Sequence, residues 1–549
     1  MNLRGLARFL IWGVALLAVI AVVSAVKPLH AQTSFGTIIG TVTDPSQAAV
    51  PAVSITVTNN QTGLSRKVES DSLGNYRVES LLPGMYTIRA EHTGFQAAEV
   101  TSTQVQVAVI STVNIVLQVG TVTQTVEVTA AAPLLQTASA TVGTVVNNTS
   151  VVTLPLNGRN FTELISLVPG SVSSGGAIYQ IAGGSNYSVS GNRAEQNNFT
   201  LDGAYNNEEM FKTYGIQPSI DAIQEFKIQT NITSAEYGQA AGANINVATK
   251  SGTNDIHGSV FEFLRNNHLD ANDWFRNLYG LPIGQYKRNN YGATAGGPFI
   301  IPKVYNGRDR AFWFFDYEAT KFRQGSSTTG RLPTAAMLGG DFTGQAPIYD
   351  PTTTVQTGTD GSGNPIYSRQ QFSCNGQLNV ICPDRLDPWV TAYMGVFFPK
   401  ITAPVGAPYV TYVNPAPFPQ DSYQWHARAD YKIRENLSFF ARFSLADATQ
   451  NSVQAVPGLY SPLINNFRNG VASWTYVPNP TTVIDWKIAY NRTNIQTWAT
   501  NPAPGWESFL GAHPISGTPV KSTRTPLFPQ LQDNTGTYSM PYQEAFPFV

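Results

Sequence analysis

Between Val151 and Gly252 the chain reads Leu154-Pro155-Leu156-Asn157-Gly158-Arg159-Asn160, then Ser188-Val189-Ser190-Gly191-Asn192-Arg193 and Phe199-Thr200-Leu201-Asp202-Gly203. It goes on with Ile223-Gln224-Glu225-Phe226-Lys227-Ile228 and Ala235-Glu236-Tyr237-Gly238, and closes on Asn244-Ile245-Asn246-Val247-Ala248-Thr249-Lys250-Ser251-Gly252. These are short β-prone pieces with glycine or asparagine at nearly every joint. Such residues admit tight turns and left-handed backbone, so the segment is expected to fold compactly with little helix. One short helix is expected where Phe161, Leu164, Ile165, Leu167 and Val168 give an apolar face ended by Pro169-Gly170.

This block resembles the plug domain of TonB-dependent outer-membrane receptors. The Leu154–Asn160 opening and the Thr249-Lys250-Ser251-Gly252 tail are similar to the Oar-like group, which carries an N-terminal carboxypeptidase-regulatory-like domain. The resemblance implies a plug over 134–253. Its motif residues here are Asn157, Gly158, Arg159, Asn160, Arg193, Asp202, Gly203, Tyr237, Gly238 and Lys250. In receptors of this kind some plug charges pair with the barrel wall. Asp202 and Arg193 are the candidates by motif, the alternative being solvated surface charges.

Composition agrees with a β-rich chain. Of 549 residues, 13% are charged, 42% apolar and 11% aromatic. An ordinary soluble domain carries about 25% charged residues. Thr, Ser, Asn, Gln and Gly replace them, which suits half-buried, turn-rich β-structure. A net charge of −1 provides no basic face for nucleic acid. Cys374 and Cys382 are the two cysteines. They close a small loop by disulfide in an oxidising compartment or stand as two thiols, and too few ligands lie near them for zinc.

At the N-terminus, residues 1–31 read as an export signal. Arg4 and Arg8 precede an apolar run from Phe9 to Val26, and Leu29-His30-Ala31 is a cleavage site. The run just reaches spanning length, so an uncleaved anchor is the alternative. Over 35–118, Val53, Ile55 and Val57 alternate with Ser54, Thr56 and Thr58, and Tyr86, Ile88 and Ala90 alternate with Thr87, Arg89 and Glu91. A period of two turns one face of each strand to a core. Asp71-Ser72-Leu73-Gly74-Asn75-Tyr76 has turn chemistry, and Leu82-Pro83-Gly84-Met85-Tyr86 predicts a type II turn. With Gly40-Thr41-Val42-Thr43-Asp44 these motifs resemble the carboxypeptidase-regulatory-like fold, a prealbumin-like or Ig-like sandwich also described as carbohydrate-binding-like. Function does not follow from that fold; the module binds sugar or serves as a spacer. No histidine begins an HxxE or HExxH pattern and no GxSxG or phosphate-loop motif occurs, so neither an enzyme nor a cofactor is expected.

The linker 119–133 contains Gln124, Thr125, Val126, Glu127, Val128 and Thr129, which are similar to a Ton box. Strand addition suits such a segment, because main-chain bonds grip with little demand on side chains. Alternatively, this run is the last strand of the sandwich or the first of the plug.

From 254 onward the strands lengthen. They are read at Ile256–Asn266, Tyr291–Ile300, Ala311–Phe322, Tyr423–Ile433, Leu437–Ala446, Val471–Val477 and Val483–Arg492. Trp425, Ala427, Ala429 and Tyr431 alternate with His426, Arg428, Asp430 and Lys432, and Arg434-Glu435-Asn436 turns the chain. Runs of about ten residues with one apolar and one polar face mark outer-membrane barrel strands, with aromatic residues at their ends. The stretch 324–421 reads as a long extracellular loop. A barrel wide enough for a plug has about 22 strands, and at roughly 25 residues per strand with its connection it needs about 550 residues. The seven strands read here imply an incomplete barrel, part of a receptor about twice as long.

The sequence thus predicts a mainly β chain in the outer membrane, with its sandwich in the periplasm. The resemblance implies import of a scarce solute (a siderophore, cobalamin, glycan or peptide), powered by the TonB–ExbB–ExbD complex. The alternative is an outer-membrane adhesion or carbohydrate-binding protein without active transport.

Overall fold

The computed structural model describes residues 35–120, 125–127, 141–176, 185–208, 213–230, 241–272, 282–325, 328–388, 410–414, 417–453, 460–479 and 482–497, with a few short pieces besides. The export segment, Gln124, Val128, Thr129 and Tyr237 lie outside the described residues.

The N-terminal sandwich comprises β1 (Gly36–Thr43), β2 (Ser54–Asn59), β3 (Ser65–Glu69), β4 (Asn75–Leu81), β5 (Gly84–Glu91), β6 (Ala97–Val105), β7 (Ile110–Thr112) and β8 (Ile115–Val116). One sheet runs β4-β1-β7, with β8 also on β1. The other runs β3-β2-β5-β6 and ends on β9 (Thr125–Glu127). The alternation read in the sequence is realised: Ile55, Val57, Ile88 and Ala90 are fully buried in one core with Ile38, Val42 and Ile115. Tyr76 donates its hydroxyl to the Val113 carbonyl at 2.7 Å, and burial raises the pKa of that hydroxyl above its usual value. Asp71 accepts from the amides of Leu73 and Asn75, and Gly74 takes the positive φ of 74° that this turn requires. The type II turn expected at Pro83-Gly84 does not form. Gly84 opens β5 without a positive φ. The left-handed residue is Ser80, at 57°. It bends the end of β4 while its hydroxyl is held by Asp485.

The central domain follows. It contains β10 (Val142–Asn147), a one-and-a-half-turn helix α1 (Asn148–Thr153), β11 (Ser171–Gly176), β12 (Ser185–Val189), β13 (Asn198–Leu201), β14 (Ala204–Tyr205), β15 (Ile223–Thr230) and β16 (Asn244–Thr249). The helix expected at 161–168 is a 3-10 helix over Phe161–Leu167, capped by the Asn160 side chain. Its Phe161 packs edge-on against Phe226 at 5.3 Å. The main sheet is ordered β10-β15-β16-β13-β14.

The C-terminal part is one antiparallel sheet. It begins with β17 (His257–Asn266) and β18 (Tyr286–Pro298). A small hairpin, β19 (Ile300–Ile301) and β20 (Tyr305–Asn306), leads to β21 (Ala311–Gly325). An excursion then carries β22 (Thr328–Leu332), the hairpin β23 (Val355–Thr359) and β24 (Pro365–Ser368), the pair β25 (Ser373–Cys374) and β26 (Gln377–Leu378), and β27 (Val410–Asn414), which returns onto β22. Cys374 and Cys382 form a disulfide within it. The sheet resumes with β28 (Pro417–Arg434), β29 (Leu437–Val453), β30 (Tyr460–Asn479) and β31 (Thr482–Thr497), in the order β17-β18-β21-β28-β29-β30-β31.

All seven strands were legible, but several are longer than read. β30 holds Pro462, Asn465, Asn466, Asn469 and Gly470, which break an apolar alternation without breaking a ladder. Asn465 and Asn469 are fully buried against the central domain. The two faces have opposite character. His426, Arg428, Asp430, Arg442 and Ser444 are buried toward the central domain, whereas Val260, Leu264, Ile484, Trp486 and Ile488 are exposed on the other side. Polar inside and apolar outside is the pattern of a wall built for lipid. Among the described residues β17 and β31 each have one neighbour, so the sheet has two open edges.

Ile55→Ala is expected to destabilise the sandwich by about 2–5 kcal/mol, the usual cost of emptying a filled core site. The outward-facing Thr56→Ala should change stability far less. Urea unfolding of the two variants compares them directly.

Candidate functional site

The central domain meets the polar face of the sheet at a buried charge cluster. Leu201-Asp202-Gly203 turns the chain between β13 and β14, with φ of 51° at Asp202 and 75° at Gly203. That turn points the Asp202 carboxylate outward from its own sheet. Thr249, at the end of β16, donates to it from its amide at 2.9 Å and its hydroxyl at 2.8 Å. On the wall side Arg428 lies 3.2 Å and Arg442 2.8 Å away, all three being almost wholly buried.

Each arginine is satisfied further. Arg428 donates twice to Asp430, and Asp430 also accepts from Ser251 at 2.7 Å. Arg442 donates to the Leu201 carbonyl at 3.0 Å and to the Asn469 side chain at 2.6 Å. Asn469 and Asn491 donate to the carbonyls of Tyr205 and Asn207. Burial pushes the Asp202 carboxyl up, but Arg428, Arg442 and Thr249 more than offset that and hold it below the usual range. It is therefore a charged acceptor for charged donors, the strongest class of hydrogen bond.

A second contact forms at Asn157–Asn160. Gly158 and Arg159 both take left-handed φ, 75° and 59°. The Gly158 carbonyl accepts from Arg288 of the wall at 3.0 Å, and a side chain at Gly158 would collide with that guanidinium. Arg159 is buried. It pairs with Asp221 and lies 3.5 Å from Glu318, and it faces the rings of Phe261 and Phe263 at 4.1 and 4.5 Å. Asn157 accepts from Arg265 at 3.4 Å, while Asn160 stays inside the central domain and accepts from Gln217 at 2.7 Å. Lys250 is half-buried near Asp221 and Asp316; burial lowers its pKa against their pull.

Arg193 and Gly238 do not join this interface. Arg193 is exposed, with no ion pair among the described residues, and its amide donates to Gln196. Gly238 is exposed too. Thr125–Glu127 pairs in parallel with Ala97–Glu99 as the edge of the sandwich. Sequence reasoning missed Arg428 and Arg442 as partners of Asp202. The signal was available: both sit on the polar face of neighbouring strands, and once the hairpin register is set they stand directly opposite each other.

Between central domain and wall lies a small cavity of about 70 Å³, lined by Arg159, Tyr214, Arg288, Glu318, Gln424 and Asn465 among others. Among the described residues no group of three or more His, Cys, Asp or Glu is placed to hold a metal.

Asp202→Ala should weaken the seating of the central domain by about 3–5 kcal/mol, because two buried guanidinium groups lose their shared counter-charge. Hydrogen exchange should accelerate over 198–205 and 244–249. Arg193→Ala is expected to leave both segments unchanged.

Comparison with known proteins agrees with this architecture. The carboxypeptidase regulatory-like domain family matches residues 37–118. The TonB-dependent transporter Oar of Myxococcus xanthus is 30% identical over 318 residues, which are 55% of this chain and 28% of that protein; the chain thus spans under a third of this relative's length. Among solved structures, the outer membrane transporter YddB from Escherichia coli aligns at 9% identity and a TM-score of 0.39, covering 65% of this chain and 39% of that one. The siderophore receptor PiuA from Acinetobacter baumannii aligns at 10% identity and a TM-score of 0.34, covering 65% and 46%. The family described as outer membrane beta barrel domain matches residues 248–547, more than half of the chain. This chain belongs to that outer membrane beta barrel domain family.

Proposed function

We propose that the chain is the plug-bearing part of a TonB-dependent outer-membrane receptor, which takes up a scarce polar solute and passes it to the periplasm. The observation that carries this reading is the Asp202–Arg428–Arg442 cluster, which seats a separately folded domain on the polar face of a lipid-type wall. A stopper held by charges is firm at rest and removable. Its buried groups are solvated once it moves, so displacement is costly without being irreversible.

In this reading the central domain is the plug. The small cavity of about 70 Å³ beside Arg159 and Arg288 lies on the solute's path between plug and wall. The excursion between β21 and β28 lies at the cell surface, and the sandwich faces the periplasm. Gln124–Thr129 is the Ton box, the strand lent to the TonB–ExbB–ExbD complex. The short parallel pairing of Thr125–Glu127 on β6 supports that role, because three residues of parallel ladder exchange readily for a longer pairing with a partner. The chemistry needed is binding and movement, with no covalent step.

A second reading is an adhesion or carbohydrate-binding protein. It is favoured by the disulfide-braced excursion, which exposes Tyr349, Val355, Ile366 and Tyr367. Deleting residues 124–130 separates the two. Energy-dependent uptake should be lost under the transport reading. Under the adhesion reading no such uptake exists, and surface binding is unchanged by the deletion.

A further inference from the structure

The sandwich is more than a neighbour of the wall. It meets the plug where Phe35 packs near Ala204, and at β15 through two buried charges. The Glu225 carboxylate accepts from the Val107 amide, and the Lys227 ammonium donates to the Ala108 carbonyl at 2.6 Å. Val107 and Ala108 lie in the turn that follows β6, and Ala108 holds a φ of 52° there. Glu225 and Lys227 are both nearly inaccessible, at 4% and 1% exposure. The sandwich main chain therefore supplies contacts that these charges would otherwise take from water.

Other contacts steady the same pose. Phe35 packs edge-on against Phe440 at 6.1 Å and lies under the Lys487 ammonium at 5.6 Å. Ser80 is bound to Asp485, and the Asn254 amide donates to the Gln61 carbonyl at 3.0 Å. An open cleft of about 410 Å³ lies between the sandwich and the wall. Among the described residues docking thus rests on a few polar points and one small apolar cluster of Phe35, Leu82, Ala204, Phe440 and Val471. Interfaces of that kind separate and re-form far more easily than broad apolar ones.

The chain path gives these contacts a mechanical meaning. Within the linker, β9 pairs with the first three residues of β6, and the other end of β6 leads into the Val107–Ala108 turn that grips β15. After the linker, β10 pairs with the same strand, placing Asn147 opposite Glu225 and Val145 opposite Lys227. The downstream end of the linker therefore reaches β15 directly, and the upstream end reaches it only through the length of β6.

We propose that the N-terminal sandwich is a latch on the plug: its Val107–Ala108 turn clasps Glu225 and Lys227 of β15, and it must undock before the plug can move. This inference rests on the plug reading above and adds a role for the sandwich that a spacer lacks. Burial raises Glu225 to about 7 and lowers Lys227 to about 8. Both charges therefore gain hydration when the latch opens, which keeps it reversible.

The test uses the full-length protein in a lipid bilayer. It is pulled toward the sandwich side through a cysteine at Gln124→Cys, in three forms that share this handle. One form is otherwise unchanged, and one adds Glu225→Gln with Lys227→Met. The third adds Ser80→Cys with Asp485→Cys, cross-linked to staple the sandwich to the wall. The force at which 142–230 begins to extend should fall at least twofold in the second form. It should rise in the third and return to the first form's value on reduction. Hydrogen exchange over 223–230 should be at least tenfold faster in the second form, with 244–249 unchanged, which also reports that this form is folded. Equal yield forces in the three forms, or equal protection of 223–230, would overturn the latch. Neither readout involves an energising partner or a solute. A protein that imports nothing would sink the transport reading and leave the latch standing, and the reverse also holds.

Discussion

Arg428 and Arg442 stand directly opposite each other on neighbouring strands, both buried on the polar face of the sheet. Like charges so placed repel, and buried guanidinium groups without a counter-charge are costly. Asp430 neutralises one of them within its own strand. Asp202 reaches both from another domain. The wall is therefore electrostatically incomplete without the central domain, and the central domain carries a carboxylate whose counter-charges come from the wall. That mutual dependence fixes where the turn at Leu201–Gly203 must sit. The carbonyls of Leu201, Tyr205 and Asn207 then fall within reach of Arg442, Asn469 and Asn491.

The same inside-out chemistry explains the sheet. Its polar face is occupied by a folded domain with matching donors and acceptors, while Trp486, Ile488 and Val260 remain on the outer face. In water such a surface would be a liability; in lipid it is the solvent-facing side. The sandwich obeys the ordinary rule, with apolar residues inside, and it touches the rest of the molecule at few points. The central domain obeys the same rule, with Phe161, Phe226 and Ile245 in its core, so one chain holds two opposite burial rules and the boundary between them falls after β16, where the wall begins.

Much of this was readable in the residues. The alternations at Val53–Val57, Tyr86–Ala90 and Trp425–Lys432 fixed strands, faces and the turn at Arg434–Asn436 directly, because a period of two leaves little freedom once one face is buried. Asp202 was legible as a candidate lock because the Leu-Asp-Gly turn offers its carboxylate. Its partners lie 226 and 240 positions further on: the hairpin register sets Arg428 opposite Arg442, but only the fold places that pair beside Asp202. The type II turn at Pro83-Gly84 failed for a related reason. Local turn chemistry favoured Gly84, but the left-handed residue is Ser80, four positions upstream, where its hydroxyl meets Asp485. Strand ends were underestimated wherever asparagine or proline entered a strand, as in β30, because polar residues facing another domain read like loop. The clasp at Glu225 and Lys227 left no pattern at all: its partners are main-chain groups, which no side-chain sequence records.

The central claim is that one carboxylate on the inner domain and two arginines on the wall form a single energetic unit. A double-mutant cycle on Asp202→Asn and Arg442→Met measures it most directly, with the free energy of local opening of 198–205 read by hydrogen exchange. Residues joined in one buried network should show coupling of about 0.5–3 kcal/mol, so the double variant should be less destabilised than the sum of the singles. Strict additivity, within about 0.3–0.5 kcal/mol, would mean that the two groups act independently and that something other than this contact seats the domain.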